Sequence, residues 1–583
     1  KEHKYCRSHR ASCRPPYTHH SFLTPPSLYL GQHSFNRFFL IDLRHFMNRF
    51  HHLFNLTRRH FFPNLSNLPK SKPLFYILGL LYRLFSFLSP FLPKKMKKIT
   101  FNNVKYEIRN KRGCLINIIQ LHKIIFTFQS LPGNITNFGI KIKTMATTII
   151  FNACIITMND DMEVIKNGSI RVEDNQIKEI REGKIEFSNA EYFDAEGMIV
   201  MPGFINTHTH VPMTMLRGYA DDLPLHTWLN EHIFPAEARM VTPENVAVAA
   251  RFAFIEMIKS GTTCFNDMYF FEDIIASEAK KAGIRAVVGE SLIDFPTPSF
   301  HTVDEGVARC ESLVQQWYGD SLIHPTICAH SPYTCSKETL QKAKVLSEKY
   351  NIPLHIHVAE TRKEVEDLTA QTGMAPAEYL YSIGLLDRNV IAAHSVWLNP
   401  KEIELYARTR TSVAHCPKSN LKLASGIADT DTYMKAGINV SIGTDGTASN
   451  NTLDMVEEMR FAALLPKGSL YNPEAVNART ALRMATINGA KALGIHHLTG
   501  SLEVGKRADL IVIHADASNM LPIYDVYSAI VYASNSKNIR SSMVNGKWIM
   551  RNRELMNINK TETMESMKHI VNSPVSYTHL TLP

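Results

Sequence analysis

From about residue 199 onward, short Val/Ile-rich runs alternate with amphipathic stretches, and the alternation repeats eight times. The first four runs are IVMPGFINTHTH ending at His210, TTCFNDM at Met268, RAVVGES at Ser291 and IHPTICAHS at Ser331. The next four are PLHIHVAE ending at Glu360, VIAAHS at Ser395, TSVAHCPKSN at Asn420 and NVSIGTDG at Gly446. Between them lie segments such as 336–350 and 242–260, the second with a Thr-Pro-Glu start and a Ser-Gly end that punctuate a helix. Strand–helix alternation of this length predicts an α/β fold, a (β/α)8 TIM barrel. Segments 146–198 and 500–552 read as short strands with hairpin-like breaks. They predict a small β-sandwich domain built from both flanks of the barrel. The expected boundaries are 145–199 and 499–555 for the two sandwich parts, 200–498 for the barrel and 556–583 for a C-terminal tail.

Parallel barrels present reactive residues at the C-terminal ends of their strands. His208, His210, His357, His394 and Asp445 all stand there. Strand alternation puts His208 and His210 on one face, so both can reach a single metal ion. Two same-face histidines alone are weak evidence, because packed histidines are common, but three further candidate ligands strengthen the reading. Glu360 follows His357 in HVAE, where a carboxylate can move protons without binding the metal. His394 can ligate or can hydrogen-bond the attacking water. Asp445, in IGTDG, can bind metal and take a proton, or can simply cap the next helix. The fourth run carries no lysine to bridge two metals, so one ion per subunit is expected, zinc first and Fe2+ as the alternative.

Charge is unevenly spread. Residues 1–144 hold 24 of the 64 Lys and Arg but 3 of the 54 Asp and Glu, so the rest of the chain is acidic. The net charge of +10 therefore gives no reason to expect a nucleic-acid partner. That first segment mixes Phe, His, Asn and basic residues without periodicity, and 73–93 approaches the apolar length needed to cross a bilayer, broken by Arg83 and Pro90. We read 1–144 as sequence upstream of the native start at Met145, and the last ten residues, PVSYTHLTLP, as adapter-derived. No membrane partner is expected for the catalytic region. The nine cysteines are widely spaced, with no C-x-x-C pair, which points to a reducing, cytoplasmic setting. A homo-oligomer is left open.

Together, MPGFINTHTH, HIHVAE, AAHS, CPKSN and GTDG resemble the amidohydrolase superfamily, in its deaminase branch. The methylthioadenosine/S-adenosylhomocysteine deaminase group is the nearest match, the likeness running from about 146 to 552 and covering LPLHTWLNEHIFPAE and SGTTCFNDMYFF. The resemblance implies zinc held by His208, His210, His357 and Asp445. It implies Glu360 as proton shuttle, His394 as the residue positioning the attacking hydroxide, and a small-molecule aminopurine nucleoside as substrate. It also carries Glu237 onto the ribose hydroxyls and His330 to a place near the reacting ring. Trp228 can stack on the base or pack beneath a loop. The arginine that relatives often carry after the third strand is absent here, which removes a partner for a carboxylate-bearing tail. Other expectations are a guanine, cytosine or pterin deaminase, a triazine hydrolase, or a barrel retained only as an inactive scaffold.

Overall fold

The computed structural model describes residues 146–572. The basic first segment, with its apolar stretch 73–93, and the final ten residues lie outside the described residues. Two nine-stranded sheets organise the remainder. The first joins both flanks of the chain. It contains β1 (Thr147–Ile156), β2 (Val164–Glu173), β3 (Gln176–Glu182), β4 (Glu191–Asp194) and β5 (Ile199–Pro202). From the other flank come β15 (Leu510–Ile513), β16 (Ile539–Val544), β17 (Lys547–Arg551) and β18 (Glu554–Leu555). β5 and β15 pair antiparallel and stitch the flanks together. The anticipated sandwich is thus one continuous sheet that wraps over its own apolar face. Ile150, Ile170, Val200, Leu510 and Met543 form that core, and Phe193 meets Trp548 at 4.7 Å between ring centres.

The second sheet is the barrel, with β6 (Phe204–Thr209), β7 (Thr262–Tyr269), β8 (Arg285–Leu292) and β9–β10 (Ile323–Pro325, Ile327–Ala329). It continues through β11 (Leu354–Val358), β12 (Val390–His394), β13 (Ser412–His415) and β14 (Val440–Ile442). The barrel ladders are parallel and run in chain order, β9 and β10 sharing the fourth position beside β8. Between β14 and β6, the amide of Asp445 donates to the carbonyl of His208 at 2.9 Å, and Thr207 Oγ1 donates to Ile442 O. Gly443 makes this approach feasible: a Cβ there would sit 2.6 Å from His208 Cβ and 2.9 Å from its backbone nitrogen.

Two strand readings change. The run IVMPGFINTHTH serves both sheets, because β5 ends at Pro202 and β6 begins at Phe204. Gly203 is the break, packed so closely on Thr263 that a Cβ would lie 2.1 Å from its side chain. In TSVAHCPKSN the strand stops at His415, and Pro417 opens a short helix, Pro417–Lys422, from its first turn.

Helices follow their strands where the caps allow. Thr242, Ser336 and Thr361 each accept an amide hydrogen bond from the residue three positions on. Each such cap contributes about 1 kcal/mol. Near the N-terminal strand ends, Ile205, Cys264, Val287 and Ile391 cluster with Ile487, Ala490 and Leu493 of the helix that covers this end. That plug leaves the opposite end for chemistry.

Candidate active site

Four imidazoles and two carboxylates converge at the C-terminal ends of β6, β11, β12 and β14. His208 Nε2 and His210 Nε2 lie 3.3 and 3.1 Å from the same oxygen, Asp445 Oδ1. His357 Nε2 is 3.4 Å from His210 Nε2. Potential ligand atoms of His208, His210 and His357 form one compact group, and those of His208, His394 and Asp445 form another. Glu360 Oε2 is 3.9 Å from His394 Nε2 and belongs to neither group. The sequence-predicted ligands are therefore brought together, with Glu360 beside them.

The ring tautomers test whether a cation fits. His210 Nδ1 lies 2.6 Å from Met268 O, and His357 Nδ1 lies 2.6 Å from His330 O. A carbonyl oxygen only accepts, so each Nδ1 carries the proton and each neutral Nε2 turns a lone pair inward. His394 is held the same way by Asn420 Oδ1 at 2.9 Å. Two lone pairs facing each other at 3.4 Å, beside a carboxylate, form a donor set for a divalent ion. His208 Nε2 is fully buried and has no hydrogen-bond partner. These residues fit zinc or a comparable metal.

A proton and a metal ion compete for the nitrogens that face Asp445. Burial opposes a charge on His210, yet its hydrogen bond to Asp445 and that carboxylate's attraction raise its pKa to about 9. For His208, burial outweighs Asp445 and lowers the value to about 4. Burial also opposes ionisation of Asp445, but the His208 and His210 rings beside it hold it well below the usual carboxylate range. Ser419 and Ser449 donate to Asp445 Oδ2 at 2.5 and 2.8 Å. Asp445, His394, Ser395 and Ala359 all adopt positive φ, a concentration of backbone strain around the converging side chains.

A cleft enclosing about 650 Å3 of non-protein space, part of it open to solvent, leads to this cluster. Trp228, Glu237, His330, Glu360 and Asp445 line it, with Leu229, Phe234, Met268 and Ile293 supplying apolar wall. Trp228 packs into the core and also lines the cleft. Glu237 Oε1 accepts a 2.6 Å hydrogen bond from Tyr269, and burial raises the carboxyl pKa to about 7 against that bond. Burial, reinforced by His210 and His208, lowers His330 to about 3, so its ring is neutral. Glu360 is 6 % exposed and raised by burial, with His394 pulling the other way. Among the described residues no Lys or Arg lines the cleft. Arg285, the only arginine of the third strand, is buried elsewhere, bound by two nitrogens to Asp509 at 2.7 and 3.1 Å.

Several contributors escape sequence reasoning. His355 Nε2 lies 3.0 Å from His208 Nδ1, and Asn266 Nδ2 lies 2.9 Å from His355 Nδ1, a chain that orients His208. The second H-x-H, His355 and His357, carries a signal for it. Asn420 sits in the CPKSN run without a pattern of its own.

An amidohydrolase family model matches residues 199–549. The chain belongs to the amidohydrolase family, and it is a hydrolase. It is 44% identical over 427 residues to a 5-methylthioadenosine/S-adenosylhomocysteine deaminase of Thermodesulfovibrio yellowstonii, covering 72% of this chain and 97% of that one. It is 42% identical to a 5'-deoxyadenosine deaminase of Methanobrevibacter smithii, covering 73% of this chain and 97% of that one. Among solved structures it resembles an adenosine deaminase from Xanthomonas campestris with bound zinc, with a TM-score of 0.72 and 38% identity. That match covers 73% of this chain and 98% of the other. Among the described residues no helix is long and apolar enough to cross a membrane.

Proposed function

We propose that the protein is a metal-dependent deaminase of aminopurine nucleosides with an uncharged 5' substituent, of the 5'-methylthio- or 5'-deoxyadenosine type. The observation that carries this reading is the convergence of four histidines, Asp445 and Glu360 at a cleft with many apolar lining residues and, among the described residues, no Lys or Arg. The names of the relatives support an adenosine-type nucleoside, S-adenosylhomocysteine included, and the uncharged 5' substituent rests on the cleft alone.

In this reading His208, His210, His357 and Asp445 hold one zinc ion or a comparable metal. Once bound, such an ion makes water a competent nucleophile near neutral pH. Asp445 and His394 orient the attacking water, His394 through the Nε2 that its bond to Asn420 leaves free. Glu360 takes a proton from that water and delivers it to the ring nitrogen next to the amidine carbon. The C–O bond forms as the ring nitrogen gains its hydrogen. A second proton passes through Asp445 to the exocyclic nitrogen, the C–N bond breaks, and ammonia leaves an inosine-type product. A raised carboxyl pKa suits Glu360 to both halves of that transfer. Glu237, its Oε1 fixed by Tyr269, offers its other oxygen to the ribose hydroxyls. His330, neutral, donates or accepts at the ring edge. Trp228 supplies a flat apolar surface for the base.

An ammonia-release screen on the purified chain tests this, across aminopurine nucleosides, S-adenosylhomocysteine, free bases and pterins. The expected result is turnover of 5'-methylthioadenosine or 5'-deoxyadenosine well above that of S-adenosylhomocysteine and free adenine. Preference for a free base or a pterin would refute the nucleoside assignment.

A further inference from the structure

The Phe265-Asn266-Asp267-Met268 stretch at the end of β7 acts as a template for the H-x-H of β6. Asn266 Nδ2 donates to Thr207 O at 2.9 Å, Thr209 Oγ1 lies 3.0 Å from Asn266 O, and Met268 O accepts from His210. Asp267 is central to this. Its Oδ1 accepts from Thr209 Oγ1 at 2.6 Å and from the amide of Val211 at 2.8 Å, so it grips the chain on both sides of His210.

The opposite side of Asp267 poses a chemical problem. Its Oδ2 is buried without a protein donor, the buried Glu272 carboxyl has the Tyr269 amide beside it, and the two side chains are within hydrogen-bonding reach of each other. Both residues are 0 % exposed. Two carboxylates cannot share such a place, so one proton must lie between them. Glu272 is the better holder. Its own amide and that of Phe271 already donate to the carboxylate of Glu290, which brings a second negative charge close by. Asp267, by contrast, accepts two hydrogen bonds that favour its charged form. Burial and the neighbouring carboxylates raise Glu272 well above the usual range, and burial raises Asp267 only to about 6.

We propose that Asp267 and Glu272 form the positioning pair for the His208 and His210 ligands. Glu272 remains a neutral acid and donates its O–H to Asp267, whose charge then holds Thr209 and Val211 in place. The inference rests on His208 and His210 being metal ligands. Neither carboxyl touches substrate, so both act through the loop they brace. Glu272→Gln keeps a donor toward Asp267, because the amide N–H replaces the acid O–H at nearly the same shape. Glu272→Leu removes the donor, and Thr209→Val removes one of the groups Asp267 holds.

The test is Co2+ binding to the metal-stripped full-length chain, read by chelator competition and by the visible absorption of the bound ion. Wild type should bind, and Glu272→Gln should match its affinity and spectrum. Glu272→Leu and Thr209→Val should each weaken binding by about 10- to 100-fold, the usual effect of removing a group that orients a metal ligand. Loss in the Gln variant equal to that in the Leu variant would overturn the shared-proton pair. So would Leu and Val variants that bind as wild type does. Should Glu272→Leu fail to fold, Glu272→Gln and Thr209→Val decide the matter by the same criteria. Absence of Co2+ binding in wild type would instead overturn the ligand assignment, and the pair with it.

Discussion

Glu360→Gln separates proton transfer from metal binding more cleanly than any other change at this site. Glu360 lies outside both groups of convergent ligand atoms, so the variant should keep its metal. Its amide is fixed by the Glu364 carboxylate at 2.7 Å, which the substitution leaves intact. Its side chain contacts Ser425 Oγ at 3.4 Å and approaches His394 at 3.9 Å, and a glutamine fits the same space. What disappears is a buried carboxyl able to take up a proton and release it. A positioned general acid–base is worth about 10²–10⁴ in rate, or about 3–5 kcal/mol of barrier. The expected outcome is a fall in kcat of that size, unchanged metal content and a KM within a few-fold of wild type, measured by ammonia release on 5'-methylthioadenosine. Retention of more than about a tenth of the wild-type kcat would place the proton transfer elsewhere.

Glu237→Ala should raise KM for nucleosides far more than for the corresponding free bases, since it removes an acceptor for the ribose hydroxyls; equal effects on both would move the ribose contact elsewhere. The raised pKa of Glu237, about 7, sets a pH signature as well. The carboxyl is protonated below that value and ionised above it, so nucleoside KM should fall as pH rises through about 7, a trend that Glu237→Ala abolishes. Arg285→Met should destabilise the fold by about 3–5 kcal/mol in urea unfolding, because it strands a buried carboxylate on Asp509. Pairing it with Asp509→Leu should recover much of that loss, and no recovery would show that the ion pair is not the cause.

The sequence showed the barrel clearly because eight apolar runs and their helix caps are local signals. It showed His208, His210, His357, His394, Glu360 and Asp445 because side chains with few structural uses recurred at strand ends. It did not show what holds them. Met268 O and His330 O fix two tautomers, but a backbone carbonyl has no residue signature, and its position follows from strand register. Asp267 lies within a strand run and Glu272 beyond it, and their pairing requires the turn at Phe271, which adopts φ 60°. Gly203 divided one apolar run between two sheets, a consequence of its contact with Thr263 that only three-dimensional packing reveals. The missing arginine was legible, whereas the burial of Arg285 against Asp509, just before β15 of the first sheet, was not.

The central claim is a single metal ion held by His208, His210, His357 and Asp445. Its most direct test is metal content per chain after purification and dialysis against zinc, for wild type and His357→Ala. About one equivalent is expected in wild type and a large loss in the variant. Two equivalents in wild type, or full occupancy without His357, would contradict it.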